Sequence, residues 1–315
     1  MRKKYFIITV DTEGDNQWDN TKKATTENAK FLPRFQELSN KYCFYPTWLV
    51  DYEMAHDENL VSLFTEKLKT KECEVGMHLH AWSTPPEYSL ERKTDQRAYL
   101  IEYPQTTMAE KIHILKDVLE QTFLCDITSH RSGRWSINQD YFDLLDNAGF
   151  IADCSVTPHK NWARSLGATG LPGTDFTNFS EKPYMVTPHL VEVPMTIREM
   201  HHFEIDGNSN FKNYLRAVKH FSLGKSFWLR PNRYFQSKSL KTLINHVYKE
   251  DSDYVMFMIH SSELMPGGSP SFPDVEAVNQ LYSCIDEIYS FAKEKGYEGI
   301  TLSEYAQLLK GHMLS

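Results

Sequence analysis

The 315-residue sequence has few cysteines, and none of them are close together in the chain. Their number is odd, and no two are separated by only two residues, so the spacing is not that of a zinc ribbon or of a disulfide framework. We therefore expect five reduced, structural thiols: Cys43, Cys73, Cys125, Cys154 and Cys284.

Long hydrophobic runs are also missing. The longest apolar run near the N-terminus, Tyr5 to Val10, has six residues, whereas about 20 are needed to cross a bilayer. A signal-peptide core needs roughly 7–15 apolar residues, and the acidic residues Asp11 and Glu13 follow this run almost at once. The sequence predicts no membrane span, and we expect a cytoplasmic protein.

An excess of positive charge is absent as well. The chain has 34 Lys and Arg against 42 Asp and Glu, a net charge of −8 at pH 7. Nucleic-acid binders present clustered Lys and Arg to the phosphate backbone, so we expect no nucleic-acid partner. No glycine-rich phosphate-binding motif follows the first apolar run, which counts against a dinucleotide-binding fold.

The sequence does contain a repeated alternation of strand-like and helix-like segments. Predicted strands are Tyr5–Val10, Cys43–Val50, Glu74–Leu79, Cys125–Thr128, Phe150–Val156, Leu190–Val193, Tyr254–Ile259 and Tyr297–Leu302. Predicted helices cover 25–39, 58–70, 137–148, 240–248 and 303–310, with two more beginning at a capping box at Thr107 and at the cap Asp274.

This alternation predicts an α/β protein with a parallel sheet and right-handed crossovers. About seven repeats favour a barrel over an open sheet. No linker interrupts the pattern, so we interpret residues 1–315 as one catalytic barrel domain. Long loops are expected at 81–105, 157–188 and 197–235.

Chemically active side chains gather where the predicted strands end, which in α/β folds is the functional edge. His78 and His80 lie two residues apart, so in an extended backbone they share a face. Asp11 and Glu13 repeat that spacing at the end of the first strand. Two imidazoles and a carboxylate can bind a divalent ion and leave positions open for water and substrate, with the second carboxylate free to act as a base.

Two further polar residues follow predicted strands. Arg131 comes after the strand near 125–129, where it can be a structural arginine or can hold a nearby carboxylate such as Asp11 in the ionised form. His260 follows the nearly apolar strand Tyr254–Ile259, where it is either a buried core residue or a general acid.

Candidate substrate-binding residues lie beside these groups. Trp82 and Trp135 can stack on a sugar ring or simply pack in the core, and Glu263 follows the candidate acid closely in sequence. We assign all three to substrate binding.

The order of these motifs resembles that of the polysaccharide deacetylases of carbohydrate esterase family 4, over about residues 5–305. The segments that carry the resemblance are Thr9-Val10-Asp11-Thr12-Glu13, Glu74-Val75-Gly76-Met77-His78-Leu79-His80, Arg131-Ser132-Gly133-Arg134-Trp135-Ser136 and Phe257-Met258-Ile259-His260. The resemblance implies a distorted (β/α)7 barrel and a metal-dependent deacetylase. It also implies the following roles: base Asp11, metal ligands Glu13, His78 and His80, acid His260, and Arg131 tethering the base.

The chain departs from the family pattern at two positions. Thr12 stands where the family has a second Asp, so Glu13 must supply the carboxylate ligand. Trp82 stands where the family has its second His, so His80 must replace it.

The leading hypothesis is removal of an N- or O-acetyl group from a sugar, in the biosynthesis of a surface polysaccharide or glycoconjugate. The expected cofactor is a divalent metal ion, with zinc favoured, the expected partner is an acetylated sugar or glycan, and homo-oligomer formation is compatible with the sequence. Two alternatives stay open: metal-dependent hydrolysis of another, non-peptide amide bond, and an inactive barrel that binds carbohydrate.

Overall fold

The structure, a computed structural model, describes residues 3–17, 23–200, 226–232, 237–250 and 252–313. The strands in this part of the chain are β1 Lys4–Thr12, β2 Pro46–Val50, β3 Glu74–Leu79, β4 Ser129–Ser132, β5 Ala152–Asp153, β6 Tyr184–Met185, β7 Val191–Glu192, β8 Ile197–Glu199, β9 Ser226–Trp228, β10 Tyr254–His260 and β11 Tyr297–Gly299. The α-helices are α1 Leu32–Lys41, α2 Glu58–Lys69, α3 Gln105–Phe123, α4 Gln139–Asn147, α5 Ser237–Lys249, α6 Val275–Glu294 and α7 Leu302–Met313. None of these helices is both long and apolar enough to span a membrane.

Seven strands run parallel in the order β10-β1-β2-β3-β4-β5-β7. β6 is antiparallel to β7 at one edge, and β11 pairs with the start of β1. The sheet is curled, and Leu229 links its two ends: its N–H donates to the Thr196 carbonyl and its own carbonyl accepts from the N–H of Met258. The predicted distorted (β/α)7 barrel is confirmed.

Alternating side chains separate two apolar layers. On β1, Phe6 and Ile8 pack outward against the helices, whereas Ile7 lies in the inner layer. The inner layer also takes Leu302 and Tyr305 from α7, so the last helix closes one end of the barrel. The opposite end, where the parallel strands finish, is left for polar side chains.

Some local predictions were wrong. Thr107 does not cap α3, which begins two residues earlier, at Gln105, and lacks a side-chain cap. β4 begins at Ser129, just after the predicted strand Cys125–Thr128. The predicted loop 81–105 contains one short 3-10 turn, Leu100–Glu102, and the predicted loop 157–188 contains β6. In the predicted loop 197–235, β8 and β9 are strands, and residues 201–225 and 233–235 lie outside the described residues.

Candidate active site

The polar ends of β1, β3, β4 and β10 meet above the inner apolar layer. The two-residue period of a strand directs Asp11, His78 and His260 to the same side as that layer, whereas Met77 and Ile259 face the helices. One cleft of about 430 Å³ is lined by side chains from all four strands, a size typical of small-molecule sites.

Glu13, His78 and His80 form a compact group that could hold a metal ion. Their candidate ligand atoms all lie within 4.8 Å of one another. Oε2 of Glu13 is 3.1 Å from Nε2 of His80 and 3.7 Å from Nε2 of His78. Burial opposes a charge on Glu13, but hydrogen bonding from the two imidazoles outweighs it and holds the pKa of Glu13 well below its usual range. The carboxylate is therefore ionised and available as a ligand.

Nδ1 of His78 makes a hydrogen bond on the far side of its ring, whereas Nδ1 of His80 lies near a carboxyl group without a hydrogen bond to any described residue. Nδ1 of His78 lies 3.1 Å from the carbonyl oxygen of Arg131. A carbonyl only accepts, so Nδ1 carries a hydrogen, and Nε2, which faces Glu13, is the nitrogen whose lone pair a metal ion would take. Nδ1 of His80 lies 3.5 Å from Oδ2 of Asp51, a fully buried carboxyl that also accepts from the N–H groups of Gly14 and Met54.

Asp11 and Arg131 form a buried ion pair at the base of the cleft. Nη1 of Arg131 donates to Oδ1 of Asp11, and its Nη2 donates to Oγ1 of Thr9 at 2.8 Å. Burial by itself raises the pKa of Asp11, but the Arg131 guanidinium together with His78 and His260 outweighs it, and the pKa is lowered. Asp11 is therefore held as a carboxylate, with Oδ2 free of Arg131.

Oδ2 of Asp11 faces His260, whose Nε2 is 3.7 Å away. On the other side of that ring, Nη2 of Arg230 lies 2.9 Å from Nδ1. Oε2 of Glu263, which only accepts, lies 3.3 Å from the same nitrogen, so Nδ1 faces both a donor and an acceptor, and Nε2 faces Asp11 and the cleft. Glu263 accepts from the backbone N–H of His260 at 3.0 Å and pairs with Arg230 at 3.0 Å.

Aromatic rings surround the polar groups. Trp82 stacks on His80 with ring centres 4.3 Å apart, and Trp135 lies 5.1 Å from the guanidinium carbon of Arg131. Trp135 and its neighbour Arg134 both have positive φ, 60° and 56°. Non-glycine residues are strained in this region, and such strain is found at functional sites. Both tryptophans line the cleft.

The structure brings together the sequence-predicted catalytic, metal and tryptophan residues, and it places Glu263 elsewhere. Glu263 is buried behind His260 and is not among the described residues that line the cleft. Asp51 and Arg230 were not singled out from the sequence. Asp51 directly follows a buried strand, as Asp11 ends one, and that position was the available signal.

No protein-family model and no curated protein matches the chain. Solved structures do match. A protein from Mycobacterium smegmatis assigned as a polysaccharide deacetylase is 14% identical, with a TM-score of 0.58 over 100% of this chain and 92% of that one. A 4-alpha-glucanotransferase from Thermococcus litoralis is 12% identical, with a TM-score of 0.51 over 98% of this chain and 40% of that one. A CE4 family pseudoenzyme from Bacillus anthracis is 9% identical, with a TM-score of 0.47 over 96% of this chain and 66% of that one.

The two similarities with a TM-score above 0.5 establish the fold. The chain has the fold of the Mycobacterium smegmatis protein over its whole length, and the resemblance carried by the sequence motifs is confirmed at that level. The glucanotransferase has a related fold and a different activity, so function must be argued from the side chains of the site.

Proposed function

We propose that this protein is a metal-dependent hydrolase of the polysaccharide deacetylase family that removes an acetyl group from a sugar. The observation that carries the proposal is the meeting, in one cleft, of a Glu-His-His group with a separate carboxylate and a separate imidazole. Deacetylation needs these parts: a metal site, a base for water and an acid for the leaving group.

The three proposed ligands fit a divalent ion, with zinc favoured. Two imidazole nitrogens and one carboxylate oxygen form a common catalytic zinc set, and the Arg131 carbonyl orients His78 from behind, as metal-binding histidines require. A divalent ion bound there supplies Lewis-acid activation of water and polarisation of the acetyl carbonyl.

The remaining steps belong to the chain's own residues. Oδ2 of Asp11 accepts a proton from the attacking water, while Arg131 fixes Oδ1 and keeps the carboxylate ionised. His260, acting as the imidazolium with its Nδ1–H toward Glu263, gives the proton on Nε2 to the departing amine or alkoxide and returns to the neutral imidazole. Glu263 and Arg230 hold the imidazole in position from behind, so Glu263 serves as a positioning residue.

The test combines acetate release with metal content. Asp11→Asn should keep the metal and lose roughly 100-fold or more in kcat, the scale of a lost general base. His78→Ala should lose both the metal and the activity. The matched controls are Asp117→Asn and His113→Ala, which change exposed side chains on α3.

A panel of N- and O-acetylated sugars and of non-sugar amides separates the competing functions. Acetate release from sugars alone supports the proposal, whereas turnover of the other amides alone contradicts it. A wild-type protein that binds glycan but holds no metal and releases no acetate would be an inactive barrel. Unchanged turnover in both active-site variants would refute the assigned roles.

A further inference from the structure

Arginines dominate the charge of the cleft wall. Arg97, Arg134 and Arg230 line the cleft. Among the described lining residues, the carboxylates are those of Asp11 and Glu13, already engaged by an arginine and by histidines. The wall is therefore cationic, although the whole chain has a net charge of −8.

Two of the three guanidinium groups have evident roles within the protein. Arg230 pairs with Glu263 and His260. Arg134 donates to the carbonyl of Arg97, to Oγ of Ser165 and to a further backbone carbonyl. It thereby ties two loops together through neutral acceptors.

Arg97 differs from both. Its guanidinium carbon lies 4.9 Å from the ring centre of Trp82, and the group has no hydrogen bond or ion pair with any described residue. The side chain is only partly exposed, and burial lowers the pKa of Arg97. A partly desolvated cation with five N–H donors is costly without an acceptor.

The position of Arg97 relates it to the reacting end of the cleft. Trp82 contacts Arg97 on its ring and also stacks on the proposed ligand His80. A sugar whose acetyl group is placed at the metal centre therefore brings its own substituents near Arg97.

We propose that the substrate is an anionic acetylated sugar, bearing a phosphate or a carboxylate on the sugar itself, and that Arg97 binds this group. The planar guanidinium matches both oxyanions with paired N–H donors. This proposal rests on the proposed deacetylase function, because that function places the acetyl group at the metal centre.

Isothermal titration calorimetry with three probes tests the proposal: N-acetylglucosamine, N-acetylglucosamine 1-phosphate and N-acetylglucosaminuronic acid. The wild-type protein should bind at least one anionic sugar about 10- to 100-fold more tightly than the neutral one, the scale of a hydrogen bond to a charged group. The probe that is preferred distinguishes phosphate from carboxylate.

In Arg97→Gln this preference should fall by the same factor, whereas Arg97→Lys should retain part of it. Arg164→Gln is the matched control, because Arg164 is exposed and is not among the described residues that line the cleft. The preference is expressed, within each variant, as the ratio of the dissociation constants for the neutral and the anionic sugar. A general disturbance of the site changes both constants, so it cancels in this ratio.

Equal affinity of the wild type for all three sugars overturns the proposal, as does a preference that Arg97→Gln leaves intact. Acetate release is measured in parallel to separate this result from the proposed function. An Arg97-dependent anion preference without acetate release supports the anion site and refutes deacetylation. Acetate release without an anion preference supports deacetylation and refutes the anion site.

Discussion

Replacing Arg131 by methionine tests the central ion pair of the site. The guanidinium is fully buried, and its other neighbours are the carbonyl of Cys154 at 3.2 Å and the sulfur of Met195 at 3.0 Å. Methionine keeps an unbranched apolar stem in this sulfur-rich environment but removes every donor to Asp11, whose carboxylate is then left buried and uncompensated.

Removing one partner of a buried pair costs about 3–5 kcal/mol, a large part of a typical total stability of about 5–15 kcal/mol. We expect Arg131→Met to lower the free energy of unfolding by that amount at pH 7. Arg198→Met is the control: Arg198 is also buried, but its partners Glu181 and Glu250 are 34% and 38% exposed. Water can solvate those carboxylates, so the control should lose only about 1 kcal/mol.

A second substitution, Asp11→Asn, tests whether the loss of stability in Arg131→Met comes from the unpaired carboxylate of Asp11. Asp11→Asn alone leaves the Arg131 charge unpaired and should destabilise the wild type. In the Arg131→Met background it removes the unpaired carboxylate and should be stabilising, with a coupling of up to about 3 kcal/mol. Urea unfolding followed by tryptophan fluorescence measures the four proteins of this cycle and the Arg198→Met control. The reasoning is refuted if Arg131→Met costs no more than Arg198→Met, or if Asp11→Asn destabilises both backgrounds equally.

Two further predictions concern the supports of the site. Burial raises the pKa of Glu263, but Arg230 and the hydrogen bond with His260 outweigh it, so the pKa falls to about 2. An unfolded glutamate has a pKa of about 4.3. The ionised carboxylate therefore stabilises the folded state fully above pH ~4.3, and this stabilisation is lost as the pH falls toward 2. Urea unfolding between pH 6 and 3 should therefore show a smaller acid-induced loss in Glu263→Gln than in wild type, and an equal loss contradicts this. Gly133→Ala would place a Cβ 2.6 Å from Cδ2 of His80, so it should weaken metal binding in a chelator competition. Gly149→Ala, with φ of 84° but open space around it, should cost about 1–2 kcal/mol of stability without changing metal affinity.

Features set by local alternation were predictable from the sequence. The predicted bounds of β3, Glu74–Leu79, agree with the structure, and His78 and His80 share the inner face as their spacing requires. The two-residue period of a strand is a property of the backbone, so it needs no knowledge of the rest of the fold.

Features set by pairing between distant segments were not predictable in the same way. The apolar character around Ile127 favoured a strand before residue 129, but β4 is the polar segment Ser129–Ser132. Its register comes from its neighbours, since His78 pairs with Arg131 and Ser129 pairs with Ala152. Arg97 lies in a loop without a periodic pattern, so only the folded chain shows that it lines the cleft.

The two departures from the family pattern have a joint physical explanation. On β1, Thr12 separates Asp11 from Glu13 in the sequence, and its hydroxyl donates to the carbonyl of Val10 at 3.0 Å. Glu13 is two residues from Asp11 and one carbon longer than an aspartate, and it reaches His80 at 3.1 Å. Trp82, in place of the usual ligand, stacks on His80. β1 thus supplies Asp11 and Glu13, and β3 with the residue after it supplies His78 and His80, each pair two residues apart. The proposed carboxylate ligand comes one residue later than the family pattern has it, and the proposed second imidazole comes two residues earlier. Neither Thr12 nor Trp82 therefore displaces the proposed ligands Glu13 and His80.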